Sequence, residues 1–224
     1  MGYRLREIDP KSKFGQELQL DVLRRAVPTD DISAVLDAQN AWETRERKLN
    51  MVVMVLLVIA MNWYSHVSIG TVMRKTGQGL RFIWPDADIA LPKDAAISQR
   101  RYQLGARPMV SLFHRVCRPM ATPQTSGAFL FGLRVMAIDG TVENVPDSPD
   151  NSAYFGRQHG ARGDSAFPQV RCVYLAECGP HAIVDAGFWP YGIDERVGAR
   201  RMLRSIGPGM LVMWDRGLHE FDMI

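Results

Sequence analysis

Leu133-Arg-Val-Met-Ala-Ile-Asp139-Gly-Thr141 and Met210-Leu-Val-Met-Trp-Asp215-Arg-Gly217 share one form: an apolar run that ends in Asp, with a glycine one or two residues on. Both runs have the length and composition of buried strands. Between them, Gln169–Glu177 and Ala182–Phe188 read as strands joined by the hairpin signal Cys178-Gly-Pro-His181. Asp194–Ser205, with Val197, Arg201 and Arg204, reads as a helix that Gly207-Pro-Gly209 breaks. The order strand, strand, strand, helix, strand lets the first and fourth strands lie side by side and parallel through a helical crossover. Sites in open sheets gather at the carboxyl ends of parallel strands, and neighbouring strands are about 4.8 Å apart. Asp139 and Asp215 could therefore grip the same divalent cations, the arrangement that two-metal phosphoryl transfer uses. Taken alone the spacing favours a plainer role, since an Asp after a strand is more often a turn or cap residue.

Outward from these runs, Phe129–Asp139 reads as one strand and Val145–Phe167 as a long irregular loop. Arg118–Gly127, with two prolines and a glycine, cannot continue a helix and reads as a linker. The pattern before it is helical. Phe14, Leu18, Val22 and Ala26 recur at helical spacing, with Ser12 as a cap and Pro28 as a stop. Thr29 could cap a short helix that carries Ile32, Val35 and Leu36. A charged lead-in from Trp42 to Lys48 precedes an apolar helix running to about Met61. Further helices are expected over Ser65–Thr76, from Pro92 to Leu104 with Gly105 closing, and from Pro108 onward with Val110, Phe113, Val116 and Cys117 on the apolar side. The expected architecture is α+β, with a helical domain over 1–126 and a sheet domain over 127–224.

Hydrophobic residues make up 46% of the 224 and charged ones 23%, which excludes disorder as a reading of the whole. Net charge is only +3, but residues 1–130 carry 18 Lys/Arg against 12 Asp/Glu, whereas 131–224 carry 9 against 12. A basic front suits a polyanion and an acidic back suits cations, though an uneven solvated surface would look the same. Three cysteines without CxxC spacing argue against a disulfide framework or a zinc knuckle. The start lacks the apolar segment of a secretory signal, and Met51–Met61 is about half a bilayer span. Both point to a cytoplasmic protein with no membrane partner.

The wording of the motifs is more specific than their spacing. Asp139-Gly-Thr, Asn151-Ser-Ala-Tyr-Phe-Gly156, Phe167-Pro-Gln-Val-Arg-Cys-Val-Tyr-Leu-Ala-Glu-Cys-Gly-Pro-His181 and Gly209-Met-Leu-Val-Met-Trp-Asp215-Arg-Gly-Leu218 stand in that order. Together they closely resemble the DDE transposases of the insertion-sequence-four type. In the front half, Val22-Leu-Arg-Arg-Ala-Val-Pro-Thr-Asp30, Trp42-Glu-Thr-Arg-Glu-Arg-Lys-Leu49 and Leu91-Pro-Lys-Asp-Ala-Ala-Ile-Ser-Gln-Arg-Arg-Tyr-Gln-Leu-Gly105 resemble the N-terminal domain of the same family. The resemblance implies a ribonuclease-H-like catalytic fold, binding to terminal inverted repeats of DNA, and Mg2+-dependent strand cleavage and joining. It places the first catalytic and metal-binding carboxylate on Asp139 and the second on Asp215. Leu218 stands where the family usually has Phe, a conservative apolar change.

The family's third carboxylate is a Glu in a Tyr/Arg/Glu/Lys signature on a later helix. No residue here takes that role, and Glu220 and Asp222 lack the surrounding signature. The expectation is thus a partial ribonuclease-H-like domain without transposition activity, prone to aggregate along Met210–Trp214. The alternatives are a catalytically dead DNA-binding remnant that inhibits transposition, or a metal-dependent nuclease unrelated to it. A second copy or a full-length transposase is the expected protein partner.

For DNA contact, Lys93, Gln99, Arg100 and Arg101 stand on one predicted helix, with donors for phosphates and base edges. The plainer alternative has the arginines lying around a core stripe of Ile97 and Leu104. Arg216 could brace a phosphate beside Asp215 or pair with a nearby acid. His181 reads as a structural histidine, and Glu177 and Asp185 as solvent-facing acids of the second and third strands, with a substitute metal ligand as the lesser alternative for one of them. Trp63, Trp84 and Trp189 read as core or edge residues.

Overall fold

The computed structural model describes residues 23, 25–45, 49–64, 66–77, 92–160 and 163–219. The chain divides into two compact units, Met1–Val116 and Cys117–Ile224. The helix expected from Phe14 falls almost wholly outside the described residues, as do Trp84, Glu220 and Asp222.

The described part of the first unit is built around one apolar helix. Thr29–Ala38 (α1), Met51–Trp63 (α2), Ile69–Gly77 (α3), Asp94–Leu104 (α4) and Arg107–Val116 (α5) are its helices. Asn50 starts α2: its side-chain oxygen accepts from the Val53 amide at 2.8 Å, satisfying one of the free donors of the first turn. Met51 to Leu57 are all buried, so α2 is apolar around its circumference, as a helix enclosed by others must be. Ile32, Val35 and Leu36 of α1, Val72 and Met73 of α3, Ile97 and Leu104 of α4, and Leu112 of α5 join the same core. Each fully buried aliphatic side chain contributes roughly 1.5–3 kcal/mol. Three starts differ from expectation. The helix expected from Ser65 begins at Ile69. The Pro92 helix begins at Asp94, after an extended Lys93, and Thr29 is a first-turn residue behind Pro28 rather than a cap. Among the described residues no helix is long and apolar enough to cross a membrane.

The second unit is a mixed sheet with one main helix, so the chain as a whole is α+β. Its elements are Phe129–Leu130 (β1), Leu133–Asn144 (β2), Pro149–Phe155 (α6), His159–Gly160 (β3), Gly163–Asp164 (β4), Gln169–Glu177 (β5), Ala182–Pro190 (β6), Glu195–Met202 (α7) and Met210–Trp214 (β7). β2 pairs antiparallel with β5 and parallel with β7, and β5 pairs antiparallel with β6. The parallel pairing of the first and fourth long strands through α7 is the one the strand order predicted.

The run from Phe129 to Asp139 is two strands rather than one. Phe131 and Gly132 sit at positive φ (52° and 78°) and turn the chain between β1 and β2. β2 then runs past Asp139 to Asn144. Val145–Phe167 is also more ordered than expected, with α6 and the β3–β4 hairpin inside it. Arg157 organises it by donating to the carbonyls of Ser165 and Ala166 and to the side chains of Asp147 and Ser152.

The acids read as solvent-facing, Glu177 and Asp185, are both fully buried. Each is satisfied where it lies. Glu177 accepts from the amides of Met120 (2.8 Å) and Ala121 (2.9 Å) and pairs with Arg134, which fastens the proline-rich stretch to the sheet. Asp185 accepts from Arg204 Nε and Nη2 at 2.9 and 2.8 Å and from Ser205 Oγ at 2.6 Å. That bond set ties the end of α7 to β6.

Candidate functional site

The β2–β7 register ends at Ile138↔Trp214. Asp139 and Asp215 are the next residue on each strand. Asp215 is still extended (φ −75°, ψ 168°), so the two-residue alternation of side chains continues through it. Paired positions of parallel strands face the same side. Asp139 and Asp215 therefore stand side by side, one residue beyond the last registered pair. Both are exposed.

Each carboxylate is held by a local bond. Asp139 Oδ1 accepts from the Gly140 amide at 2.8 Å. Asp215 Oδ1 accepts from the Leu218 amide at 3.0 Å and caps the short turn Arg216–Leu218, anchored by the buried Leu218. The second oxygen of each takes no hydrogen bond among the described residues.

Mg2+, the ion the family resemblance implies, usually keeps several waters and is held by one or two carboxylates plus substrate phosphates. Two exposed aspartates with oxygens to offer, one within β2 and one just past the end of its neighbour β7, fit that donor chemistry. Among the described residues no group of three or more His, Cys, Asp or Glu comes together to hold an ion, so the pair stands without a third protein ligand.

Asp215 also lines an open cleft of about 550 Å³ with Gly217, Arg171 of β5, Tyr191–Asp194 of the β6–α7 loop, and Glu195 and Arg196 of α7. The seat of α7 sets this geometry. Gly198 has no side chain where a Cβ would come within 2.5 Å of Val173 Cγ2 and 3.0 Å of the Trp189 ring, so the helix lies close on β5 and β6. Asp194 caps α7 by accepting from the Arg196 amide at 2.9 Å, and it takes the Arg196 guanidinium at 3.0 and 2.6 Å. The hydrogen bonds from Arg196 hold its carboxyl far below the usual range. At Gly140 the gap left by the missing side chain is filled by the Glu195 carboxylate, which a Cβ there would meet at 2.0 Å. Glu195 carries no motif, and the motifs that contain Gly140 and Arg171 give neither this role; the β2–β5 register and the start of α7 bring the three together.

The other candidates are scattered. Lys93, Gln99 and Arg101 are exposed around α4, next to an 89% exposed Tyr102. Arg100 is only 8% exposed. Its Nε donates to the Leu49 carbonyl at 3.0 Å and its Nη1 to Gln103 Oε1 at 3.0 Å. It faces the helical core with Ile97 and Leu104, the inward alternative weighed for these arginines. Arg216 is exposed beside Asp215. His181 occupies the β5–β6 turn at φ 55° and is exposed, so it is a turn residue rather than an interior one.

Comparison with known proteins bears on this arrangement. The family described as "Insertion element 4 transposase N-terminal" matches residues 17–114. "Transposase InsG for insertion sequence element IS4" of Escherichia coli (strain K12) is 27% identical over 201 residues, which cover 86% of this chain and 42% of that protein. "Putative transposase InsZ" of the same organism is 28% identical over 140 residues, covering 62% of this chain and 47% of that one. The chain thus spans less than half the length of either relative. No solved structure matches. The class these matches define is that of transposases. Within it they support an IS4-type transposase, the family that the motifs resemble.

Proposed function

We propose that this chain is the front part of an insertion-sequence transposase acting on DNA. In this reading the second unit is the beginning of a ribonuclease-H-like catalytic domain, with Asp139 and Asp215 as two of its catalytic, metal-binding carboxylates. The observation that carries the reading is the parallel β2–β7 register, whose last pair, Ile138↔Trp214, immediately precedes both aspartates. The strand order β6-β5-β2-β7 around one crossover helix agrees with it.

Asp139 and Asp215 would hold Mg2+, whose chemistry when bound is to activate the attacking oxygen and stabilise the leaving one. The hydrogen bonds from Gly140 and Leu218 orient one oxygen of each carboxylate and leave the other for the ion. In the first unit, Lys93, Gln99 and Arg101 would meet the phosphates and base edges of the terminal inverted repeats, with Arg100 anchoring the helix that presents them. Arg216 would brace a phosphate near Asp215.

Two carboxylates alone hold such an ion weakly, and no third protein donor joins them among the described residues. The 224-residue polypeptide is accordingly expected to bind Mn2+, used as the spectroscopic stand-in, weakly, and to leave inverted-repeat DNA uncut in Mg2+. Electron paramagnetic resonance titration of Asp139→Asn and Asp215→Asn, each compared with the unaltered chain, tests the assignment. Each variant should lose most of the Mn2+ binding; unchanged affinity in both would remove the carboxylates from the account. Strand cleavage by the polypeptide that disappears in Asp139→Ala would overturn the expectation of inactivity. A DNA-binding remnant that occupies element ends without cutting them is the second reading. It is favoured by the lack of a third donor among the described residues and separated from the first by retention of labelled end DNA without cleavage.

A further inference from the structure

We infer that the cleft beside Asp215 is a binding subsite for a DNA backbone phosphate, with Arg171 as the positioning residue. The inference rests on the reading of the chain as a DNA-acting protein and adds to it a residue that the motifs do not single out. Two guanidinium groups line the cleft. Arg196 is engaged by Asp194 through two bonds. Arg171 is under-bonded. Its Nε is buried with no hydrogen-bond partner among the described residues. Its Nη2 reaches the Tyr191 carbonyl at 3.3 Å, and its Nη1 lies 3.6 Å from Glu195 Oε2, beyond ordinary hydrogen-bond length. The Tyr191 ring, 5.4 Å from the guanidinium carbon, steadies the plane.

A guanidinium carries five N–H donors in a planar fork that matches two phosphate oxygens, and a buried donor without a partner is costly to leave. A phosphate in the cleft would take donors that the resting protein leaves poorly used. It would also lie next to Asp215, whose negative charge a shared divalent cation would offset. Glu195 is the competitor. Its carboxylate is wedged at Gly140 and faces Arg171 at a distance too long to satisfy it, so it holds the guanidinium loosely until a better acceptor arrives.

The test uses the full 224-residue chain, a short fluorescein-labelled duplex with a recessed end, and Ca2+ to allow binding without cutting. Arg171→Gln should weaken binding about tenfold and lower the slope of log affinity against log salt by about one, the signature of a lost phosphate contact. Glu195→Gln, which removes the competing charge, should tighten binding severalfold. Opposite signs are the discriminating result, because a purely structural pair would give two losses. Unchanged affinity and slope in Arg171→Gln, or weaker binding in Glu195→Gln, overturns the inference. If Arg171→Gln fails to fold, as judged by thermal unfolding, Glu195→Gln alone decides: tighter binding supports the inference, and equal or weaker binding overturns it. Failure here with Mn2+ binding still dependent on Asp139 and Asp215 removes only the Arg171 subsite. Loss of that Mn2+ dependence with the Arg171 effect intact removes only the metal assignment.

Discussion

The two units solve the problem of an interior differently. In the first, the centre is a helix with no polar face, and its neighbours supply Ile32, Leu36, Met73, Ile97 and Leu112. In the second, a smaller apolar cluster of Met136, Ile138, Val173, Leu175, Ala199 and Met202 is flanked by two carboxylates with no exposure at all. An apolar interior tolerates shifts of packing, whereas a buried acid is stable only with its partners in place. Glu177 and Asp185 thus fix where the proline-rich stretch and the end of α7 lie, and α7 in turn fixes Glu195 and the cleft.

The comparison can be broken by removing one element of each kind. Glu177→Ala leaves the Arg134 guanidinium and the Met120 and Ala121 amides without their acceptor, and a loss of about 3–5 kcal/mol is expected. Urea unfolding followed by tryptophan fluorescence measures it; a loss under about 1 kcal/mol would show that water replaces the carboxylate readily. Leu57→Ala in the centre of α2 should cost about 2–5 kcal/mol, with the size depending on how far the helices close in. Its effect should fall on the helical unit, so a probe of the β-sheet that shifts equally would mean that the two units unfold as one.

The smallest effect is one of pH. Burial pushes the Asp185 carboxyl up, but its bonds from Arg204, Ser205 and the Ala186 amide outweigh this and hold it below its ordinary value. A depressed carboxylate stabilises the fold fully above the unfolded pKa of about 3.9, and that contribution disappears as pH falls through the folded value. Melting temperature should therefore decline on the acid side of about pH 4. Asp185→Asn, less stable at neutral pH, should show a shallower decline. Parallel acid limbs in the two proteins would mean that the Asp185–Arg204 pair does not set the acid sensitivity.

The features visible in the sequence were those with a local signature. β5 and β7 occupy the predicted spans Gln169–Glu177 and Met210–Trp214, because alternating or continuous apolar residues bounded by Gly and Pro mark strands directly. The parallel neighbourhood of β2 and β7 followed from connectivity. Long-range partners were hidden. Acidity made Glu177 and Asp185 look like surface residues, but Arg134 is 43 positions from the first and Arg204 is 19 from the second. Arg100 looked like one of a set of equivalent basic residues, and only the Leu49 carbonyl, 51 positions away, separates it from Arg101. The half of the candidate site carried by Asp139 and Asp215 was legible because each closes an apolar run. Arg171 and Glu195 carry no such mark and meet through strand register.

β2 has twelve residues and β7 five, and they part company at the aspartates. Beyond that point β2 continues to Asn144 with β5 as its one strand partner among the described residues, so the sheet steps inward and leaves a notch along its flank. The mismatch in length sets how deep that notch is: adding two residues to β7 would wall Asp139 in, and trimming two from its end would take away Asp215's footing. Access to the two acids is thus written into where a short strand stops, and a designer could widen or narrow it without touching either of them.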